Sequence, residues 1–379
     1  MIYKNEKPAI LVLQDGTIFE GIGFGSTKEI SGELTFCSIP GSGYVESLTD
    51  PAFKDKLVVF TYPSIGNYGV PAKEEDKFGI IRQFESDKIH TNGIIVNEYC
   101  DKPSHYESKK TLEEWLIEED IPGIQWLDTR LLTQRLVREG STYAMLKIFP
   151  AGKPIETEGI MERLKENRLN SENNLVKKVS TDEIIQYKGE NAVGKVVIID
   201  LGVKNNITRT LLSHNMDVTV VPYNYTYKQV IDFEPDGVLI SNGPGKPSIY
   251  ESPIALTKEL INHSIPTLGI GLGNILLGLA AGGKEYKMTA EHRGGRTTVE
   301  SETGHCYITF QNHDYCLENG DLNNFRELFH DKDDKSNEGI IHKEKPLFGV
   351  QFNPEASPGA LDMKKLIFDK FLNIMEANA

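Results

Sequence analysis

The sequence predicts an α/β protein of two domains, the second of which is a doubly wound, largely parallel sheet. The chain has 379 residues, about twice the length of a usual single domain. From Lys195 onward, short apolar runs typical of buried strands alternate with segments of helical periodicity. The first 150 residues are rich in strand signals but lack this alternation. We therefore assign 1–150 to a first domain, 151–193 to a connector and 194–379 to the second domain.

The first domain begins with a predicted β-hairpin. The apolar run Ala9–Leu13 is followed by an Asp-Gly turn at positions 15 and 16, and a second strand is expected over Thr17–Phe24. Further strands are predicted at Leu57–Tyr62 and Gly93–Asn97. No nucleotide-binding fingerprint accompanies these strands.

Two helices are predicted later in the first domain, and one in the connector. Thr111 followed by Glu114 forms a capping-box pattern, which predicts a helix from Thr111 to about Glu119. Another helix is expected after Asp128, and a short one near Ile160–Lys165 within the polar connector.

The second domain is predicted from its strand–helix alternation. The expected strands are Val196–Ile199, Val218–Val221, Val238–Ile240 and Pro266–Ile270, and the helices are Asn206–Ser213, Pro253–Asn262 and Asn274–Ala281. A β-rich insertion is expected around Tyr307–Phe310 and Leu347–Phe352. A final amphipathic helix should bury Leu366, Ile367, Phe371 and Met375.

Composition and charge exclude several classes of protein. Lys and Arg total 41 against 55 for Asp and Glu, and there is no basic stripe, so we expect no nucleic-acid partner. The uncharged run Ser264–Gly283 contains Pro266 and Asn274, which favours strand, turn and helix over a membrane span. Residues Met1–Lys7 lack the apolar region of a signal peptide. With four cysteines and no CxxC pair, we expect buried free thiols and a cytoplasmic protein without a membrane partner.

The most informative segment is Gly269–Gly273, in which glycines alternate with Ile270 and Leu272. A buried strand leads into a glycine-flanked turn and directly into a helix, which is the pattern of a nucleophile elbow. The helix N-terminus would favour a thiolate or an oxyanion at this point. A dinucleotide-binding loop is the alternative, but the spacing does not match GxGxxG.

Seven other fragments, taken in chain order, accompany this elbow. They are Gly43–Pro51, Thr61–Val70, Gly123–Arg130, Asp200–Ile207, Ser241–Gly245, Gln311–His313 and Pro354–Gly359. Each fragment alone is a weak signal. Together they resemble the small subunit of carbamoyl-phosphate synthetase, which carries a class I (triad) glutamine amidotransferase domain, and the resemblance spans nearly the whole chain.

The resemblance also reveals departures at the catalytic positions. Family members that hydrolyse glutamine have a cysteine where this chain has Gly271, and a histidine where it has Asn353. Only Glu355, which would orient that histidine, matches. The thiolate attacks the amide carbon and the imidazole carries the proton to departing ammonia, so we predict that the glutaminase site is degenerate.

The predicted substrate-binding positions are altered as well. Gly243 and Gly245 match the family, whereas Ile275 stands where an amide is expected and Asp314 where a glycine is expected. Ala52 replaces a serine that would approach glutamine from the first domain. The remaining predicted positions are Leu272, Asn312 and Tyr315. We expect the Asp314 carboxylate to repel a ligand carboxylate.

The resemblance implies a swivelling β/β/α first domain that docks on a large synthetase subunit. ATP and metal ions would bind to that subunit, so we expect neither a cofactor nor a metal on this chain. The complex would make carbamoyl phosphate for arginine and pyrimidine synthesis, with nitrogen from ammonia. The alternative is a stand-alone pseudo-amidotransferase that binds or senses a small molecule. Three further hypotheses stay open: an active glutaminase that uses unexpected residues, Cys306 or Cys316 as nucleophile, and anion binding by a loop at Arg293–Arg296.

Overall fold

The computed structural model describes residues 6–39, 43–171, 174–320 and 322–378. Most of the segment Met1–Lys7, from which we predict the absence of a signal peptide, lies outside the described residues. The chain forms two compact units. Unit 1 consists of Met1–Glu74, Arg82–Glu172 and Thr289–Glu291, and unit 2 consists of Glu75–Ile81, Asn173–Met288 and His292–Ala379.

Unit 1 is built around a closed β-barrel. Its strands are β1 (Lys7–Leu13), β2 (Ile18–Gly25), β3 (Glu29–Cys37), β4 (Lys56–Phe60), β5 (Gly93–Ile95), β6 (Pro122–Gln125) and β7 (Thr142–Ile148). They follow each other around the barrel in the order β1-β2-β6-β5-β4-β3-β7. The predicted hairpin is confirmed, because β1 and β2 pair in antiparallel register on either side of the Asp-Gly turn.

Helices cover this barrel. They are α1 (Tyr44–Leu48), α2 (Leu112–Glu118), α3 (Thr129–Glu139) and α4 (Ile160–Leu169). The predicted capping box is confirmed, since Thr111 Oγ1 accepts from Glu114 N at 3.1 Å and Glu114 Oε2 accepts from Thr111 N at 2.7 Å. Alternate residues of β1 join different apolar clusters, Leu11 with α3 and Ile10 with α4.

The segment 151–193, expected to connect the domains, is divided between the units. Its first part contains α4, whose Ile160 and Leu164 are buried in an apolar cluster of unit 1. Its later part belongs to unit 2 and supplies an edge strand of the sheet there.

Unit 1 contains a buried histidine that makes its stability depend on pH. His90 is 2% exposed, and this burial, together with Lys54 and Lys88, lowers the pKa of its imidazole from 6.5 to about 3. Between these pH values the unfolded chain binds a proton that the folded chain does not. The free energy of unfolding of unit 1 should therefore fall as the pH drops from 6.5 to 3, by up to about 1.4 kcal/mol per pH unit from this group.

The substitution His90→Gln should remove this part of the pH dependence. Both tryptophans, Trp115 and Trp126, lie in unit 1, so tryptophan fluorescence during urea unfolding reports on this unit. His105→Gln, at a partly exposed position of the same unit, is the matched control. An unchanged pH slope in His90→Gln would show that His90 is not held neutral by burial.

Unit 2 contains a single large sheet. Its strands are β8 (Ile185–Tyr187), β9 (Gly194–Asp200), β10 (Met216–Pro222), β11 (Gly237–Ile240), β12 (Thr267–Ile270), β13 (Glu285–Glu300), β14 (Cys306–Leu317), β15 (Phe325–Asp331), β16 (Asn337–His342) and β17 (Leu347–Val350). The order is β14-β13-β15-β16-β17-β12-β11-β9-β10-β8. The central strands β17, β12, β11, β9 and β10 are parallel neighbours.

The helices of unit 2 pack on both faces of this sheet. They are α5 (Asn205–Ser213), α6 (Tyr227–Ile231), α7 (Glu251–Asn262), α8 (Leu272–Ala280) and α9 (Asp362–Ala377). Alternate residues of β9 point to different clusters: Ile198 packs with α5 and α9, and Ile199 packs with α7 and α8. The predicted fold class, α/β with a doubly wound second domain, is confirmed.

Some sequence predictions for unit 2 are wrong in detail. Leu347–Phe352 was expected in a β-rich insertion, but β17 is a parallel neighbour of β12 in the central sheet. Leu366 is 37% exposed instead of buried, because the inner face of α9 repeats through Met363, Ile367, Phe371 and Met375.

The four cysteines are all described and free, but they are not all buried as predicted. Cys37 and Cys316 are buried, Cys100 is partly buried and Cys306 is exposed. Among the described residues, every helix is too short or too polar to cross a bilayer.

Candidate active site

The predicted nucleophile elbow centres on Gly271, which joins β12 to α8. Its backbone angles are φ 56° and ψ −108°, in a region that favours glycine. Strand β12 has a parallel neighbour on each side, so Gly271 lies at the carboxyl end of the central sheet. The sharp strand–turn–helix geometry of a nucleophile elbow is present, with a glycine where a side chain would be displayed.

Close packing against the backbone of β11 explains why residue 273 is a glycine. A Cβ atom on Gly273 would lie 2.1 Å from the carbonyl oxygen of Ile240. The Gly273 N–H donates to Ser241 O at 3.1 Å, so α8 begins directly against the end of β11. The flanking glycines that indicated the elbow therefore reflect the packing of α8 on the sheet.

Replacing Gly271 with alanine should destabilise unit 2. The positive φ disfavours a side chain by about 1–3 kcal/mol. The new Cβ would also lie 3.3 Å from Asn242 Cβ, which is a tight contact. We expect a lower urea midpoint with an unchanged slope, monitored by far-ultraviolet circular dichroism because unit 2 contains neither tryptophan.

Gly320→Ala is the matched control for this substitution. A Cβ at Gly320 would have no atom within 4 Å among the described residues, and its φ is not positive. This variant should be as stable as the wild type. If Gly271→Ala were equally stable, the turn would have relaxed to an ordinary helical start.

The loop after β17 passes beside the elbow. The Gly271 N–H donates to Val350 O at 2.8 Å, and Gln351 O lies 3.8 Å from the place of a Gly271 Cβ. Asn353 and Glu355 follow in this loop and are 6% and 1% exposed. The loop that follows β17 therefore lies beside Gly271, and it carries both predicted triad positions, Asn353 and Glu355. Their former roles as base and orienter stay predictions.

Glu355 forms a fully buried ion pair with Lys204. Lys204 Nζ lies 2.6 Å from Glu355 Oε1, and both side chains are 0% exposed. The same ammonium group donates to Ser357 O at 2.5 Å. The carboxyl group that would orient a catalytic histidine is therefore held by the Lys204 side chain.

The turn between β9 and α5 positions Lys204. The buried Asp200 carboxylate accepts hydrogen bonds from the backbone N–H groups of Gly202, Val203 and Thr181, at 2.9, 2.8 and 2.7 Å. Burial raises the pKa of Asp200, while these backbone hydrogen bonds oppose the rise. Lys204 follows this turn as the residue that precedes α5.

The predicted substrate-binding residues occupy several environments. Gly243 and Gly245 lie in the turn after β11, where Tyr250 Oη donates to Pro244 O at 2.8 Å and holds the turn. Leu272 and Ile275 are buried on α8 within two apolar clusters. Asn312, Asp314 and Tyr315 lie on β14, and Ala52 lies in a short 3-10 turn of unit 1. Their contacts with a substrate stay predictions.

The charge of Asp314 is paired. Its carboxylate accepts from the Arg293 guanidinium, whose side chain is 2% exposed, so the repulsion expected of a free carboxylate is reduced. Arg296 forms a two-point ion pair with Asp331 at 2.7 and 2.9 Å. Both arginines lie within β13, so the hypothesis of a cationic anion-binding loop is wrong.

Asn242 is a site residue that the sequence analysis missed. It is 4% exposed and lies beside Gly271. Within the described residues, its side-chain oxygen and nitrogen have no hydrogen-bond partner, and neither has Asn353 Nδ2. Asn274 Nδ2, by contrast, donates to Gln351 Oε1 at 3.0 Å, whereas Asn274 Oδ1 has no hydrogen-bond partner among the described residues. The Ser-Asn-Gly-Pro-Gly fragment could have indicated Asn242, because it follows a central strand.

Cys316 is unsuited to replace the missing nucleophile. It is buried on β14, and burial raises the pKa of its thiol well above the usual range. Its Sγ lies 2.9 Å from Asn337 O, so the thiol donates to a backbone carbonyl. Cys306 is exposed at the first position of β14, away from the elbow in sequence.

Comparison with known proteins gives the class and then the family. Residues 197–374 match the family model of class I glutamine amidotransferases, which agrees with the elbow and the parallel sheet of unit 2. Residues 11–146 match the model of the carbamoyl-phosphate synthase small chain, CPSase domain. The chain belongs to the carbamoyl phosphate synthase small-chain family.

Relatives from several organisms are similar over nearly the whole chain. A carbamoyl phosphate synthase small chain of Methanocaldococcus jannaschii is 42% identical, over 97% of this chain and 99% of its own length. Arginine-specific small chains of Chaetomium globosum and Saccharomyces cerevisiae are 40% and 37% identical. These cover 96% and 97% of this chain, and 77% and 89% of their own lengths.

Proposed function

We propose that this chain is a carbamoyl phosphate synthase small subunit whose glutaminase site is inactive. The observation that carries the proposal is the elbow at Gly271, which keeps its geometry but has no side chain to act as a nucleophile. Asn353 at the base position supplies only an amide, which cannot take a proton from a thiol near neutral pH. Losing the nucleophile of a catalytic triad costs about six orders of magnitude in rate.

The nitrogen for the synthetase would then come from ammonia. The small-chain names of the relatives imply a large-chain partner. We expect this partner to bind ATP and metal ions and to carry out the ligase chemistry. The arginine-specific names of two of these relatives favour a role in arginine synthesis, with pyrimidine synthesis as the other destination.

A second candidate is a stand-alone protein that binds a small molecule at the elbow. The buried amide of Asn242 favours it, because neither its oxygen nor its nitrogen has a hydrogen-bond partner among the described residues. A ligand with one donor and one acceptor would satisfy both groups. Copurification separates the candidates: a stoichiometric large subunit supports the first, and its persistent absence supports the second.

The proposal predicts which nitrogen source supports turnover. The purified chain, alone or with its large subunit, should release no glutamate from glutamine above background. The same complex should form carbamoyl phosphate from ammonium, bicarbonate and ATP, which also serves as the control that the complex is intact. Glutamine-dependent turnover comparable to ammonium-dependent turnover would falsify the proposal.

A further inference from the structure

Two histidines and a glutamate converge inside the sheet of unit 2. His292 on β13 and His313 on β14 are directly paired across the strands, and their rings lie 4.9 Å apart. The Glu338 carboxylate on β16 reaches between them. Its Oε1 lies 3.0 Å from His292 Nδ1 and 3.5 Å from His313 Nε2. All three residues are buried, with exposed fractions of 0%, 8% and 0%.

The outer nitrogen of each histidine faces a hydrogen-bond acceptor. His292 Nε2 lies 2.8 Å from Asp334 Oδ2, and His313 Nδ1 lies 3.0 Å from the carbonyl oxygen of Tyr315. Both outer nitrogens must therefore donate. Histidines that bind metals typically donate their second ring N–H to a carboxylate or a backbone carbonyl in this way.

The inner nitrogens also face acceptors. His292 Nδ1 and His313 Nε2 point at Glu338 Oε1, and His313 Nε2 lies 3.0 Å from Gln311 Oε1. The orientation of the Gln311 amide is fixed, because its Nε2 donates to Glu338 Oε2 at 3.0 Å. A neutral imidazole has only one N–H, which each outer nitrogen already uses. The lone pairs of the two inner nitrogens would therefore face the lone pairs of the Glu338 and Gln311 oxygens, unless two positive charges were present between these atoms.

These charges can come from two extra protons or from one divalent cation. Two protons would make two imidazolium cations whose rings are buried 4.9 Å apart. One divalent cation supplies the same charge and accepts all the inner lone pairs. The three ligand atoms lie within 4.8 Å of one another, a spacing that suits coordination to a common ion.

We propose that His292 Nδ1, His313 Nε2 and Glu338 Oε1 form a binding site for a divalent cation, with zinc as the best match. Two imidazoles and one carboxylate are a common ligand set for zinc, which takes four ligands. Gln311 Oε1 is placed to be the fourth, beside His313 Nε2. The site goes beyond the proposed function and does not depend on it, and it departs from the expectation that this chain holds no metal. Its role is structural: the ion would tie β13, β14 and β16 together.

A second cluster nearby competes less well for the ion. His292, Asp331 and Asp334 also place ligand atoms within 4.8 Å of one another. However, both Asp331 oxygens are bound by the Arg296 guanidinium at 2.7 and 2.9 Å, so the negative charge of this carboxylate is already compensated. Asp334, whose side chain is 41% exposed, is better placed to support His292 from outside and to mark an entry route for the ion.

The test is zinc titration of the full-length chain after removal of metals by a chelator. Calorimetry and elemental analysis should give one zinc per chain, and added zinc should raise the thermal unfolding midpoint of the wild type. Glu338→Gln removes a ligand and should abolish both effects. Asp334→Asn, at an accessible position, should weaken binding by about 10–100-fold without loss of folding. Asp333→Asn, exposed one residue away, is the matched control and should bind like the wild type.

Two results would overturn the site. One is less than a tenth of an equivalent of bound zinc in the wild type; NMR spectra that show both imidazoles doubly protonated at neutral pH would then assign the two positive charges to protons. The other is zinc binding of equal strength in the wild type, Asp334→Asn and Glu338→Gln, which would place the ion elsewhere. If Glu338→Gln fails to fold, the comparison of Asp334→Asn with Asp333→Asn decides the question.

Discussion

Replacing Lys204 with methionine should lower the free energy of unfolding of unit 2 by about 3–5 kcal/mol. The change leaves the Glu355 carboxylate buried, at 0% side-chain exposure, without the cation that now lies 2.6 Å away. A charge buried in this way is costly because the protein interior solvates it poorly. Urea unfolding monitored by circular dichroism measures the loss.

Two further variants make this prediction specific. Lys204→Met combined with Glu355→Gln removes both charges and should recover much of the lost stability. Lys195→Met removes an exposed ion pair with Glu234, at 54% and 85% side-chain exposure, and should change stability by less than about 1 kcal/mol. If Lys204→Met cost no more than Lys195→Met, the Lys204–Glu355 pair would contribute nothing to holding the loop.

Features encoded by neighbouring residues could be predicted from the sequence. The capping box at Thr111 and Glu114 and the glycine-flanked turn at Gly271 depend on residues within one or two turns of chain. In these segments the local conformation and the tertiary packing favour the same structure, as in most natural proteins. The alternation of strands and helices in unit 2 predicted the fold class for the same reason.

Features that depend on pairing between distant segments could not be predicted. The closure of the barrel in unit 1 requires β1 to pair with β7, which no local pattern encodes. The placement of β17 was missed because four antiparallel strands separate it in sequence from β12. Strand patterns give the buried face of a segment, but not its neighbour.

The polar contacts of the candidate site were missed for a related reason. Lys204 and Glu355 are 151 positions apart, so their pairing appears only when the sheet is assembled. The pairing of His292 with His313 depends on the register of β13 and β14, which shifts between Lys287 and His292. A one-residue change of register would place such side chains on opposite faces.

Rebuilding the triad should restore a measurable glutaminase. In Gly271→Cys combined with Asn353→His, the thiol would stand at an elbow whose backbone angles are already φ 56° and ψ −108°. The imidazole would deprotonate the thiol and then protonate departing ammonia, with Glu355 as its orienter. Lys204 holds one oxygen of that carboxylate, and Ile275 is apolar, so we expect poor turnover and weak glutamine binding.

The single variant Gly271→Cys should be nearly inactive, because it lacks the base. General acid–base catalysis contributes about 10²–10⁴-fold, so glutamate release by the double variant should exceed that of the single variant by about 100-fold or more. Gly271→Ala combined with Asn353→His is the matched control. It places a side chain at the same positive φ and carries the same histidine, but it has no nucleophile.

The ranking of these three variants tests the account of the degenerate site. The Cβ that Gly271→Cys introduces would lie 3.3 Å from Asn242 Cβ, so adding Asn242→Gly, which removes that Cβ, should relieve the contact and increase the activity of the double variant. Equal glutamate release by the single and double variants would mean that another group already serves as the base. Equal release by the alanine control would mean that the activity comes from a different site. Only a rate that requires both the thiol and the imidazole shows that Gly271 and Asn353 occupy the places of a lost nucleophile and its base.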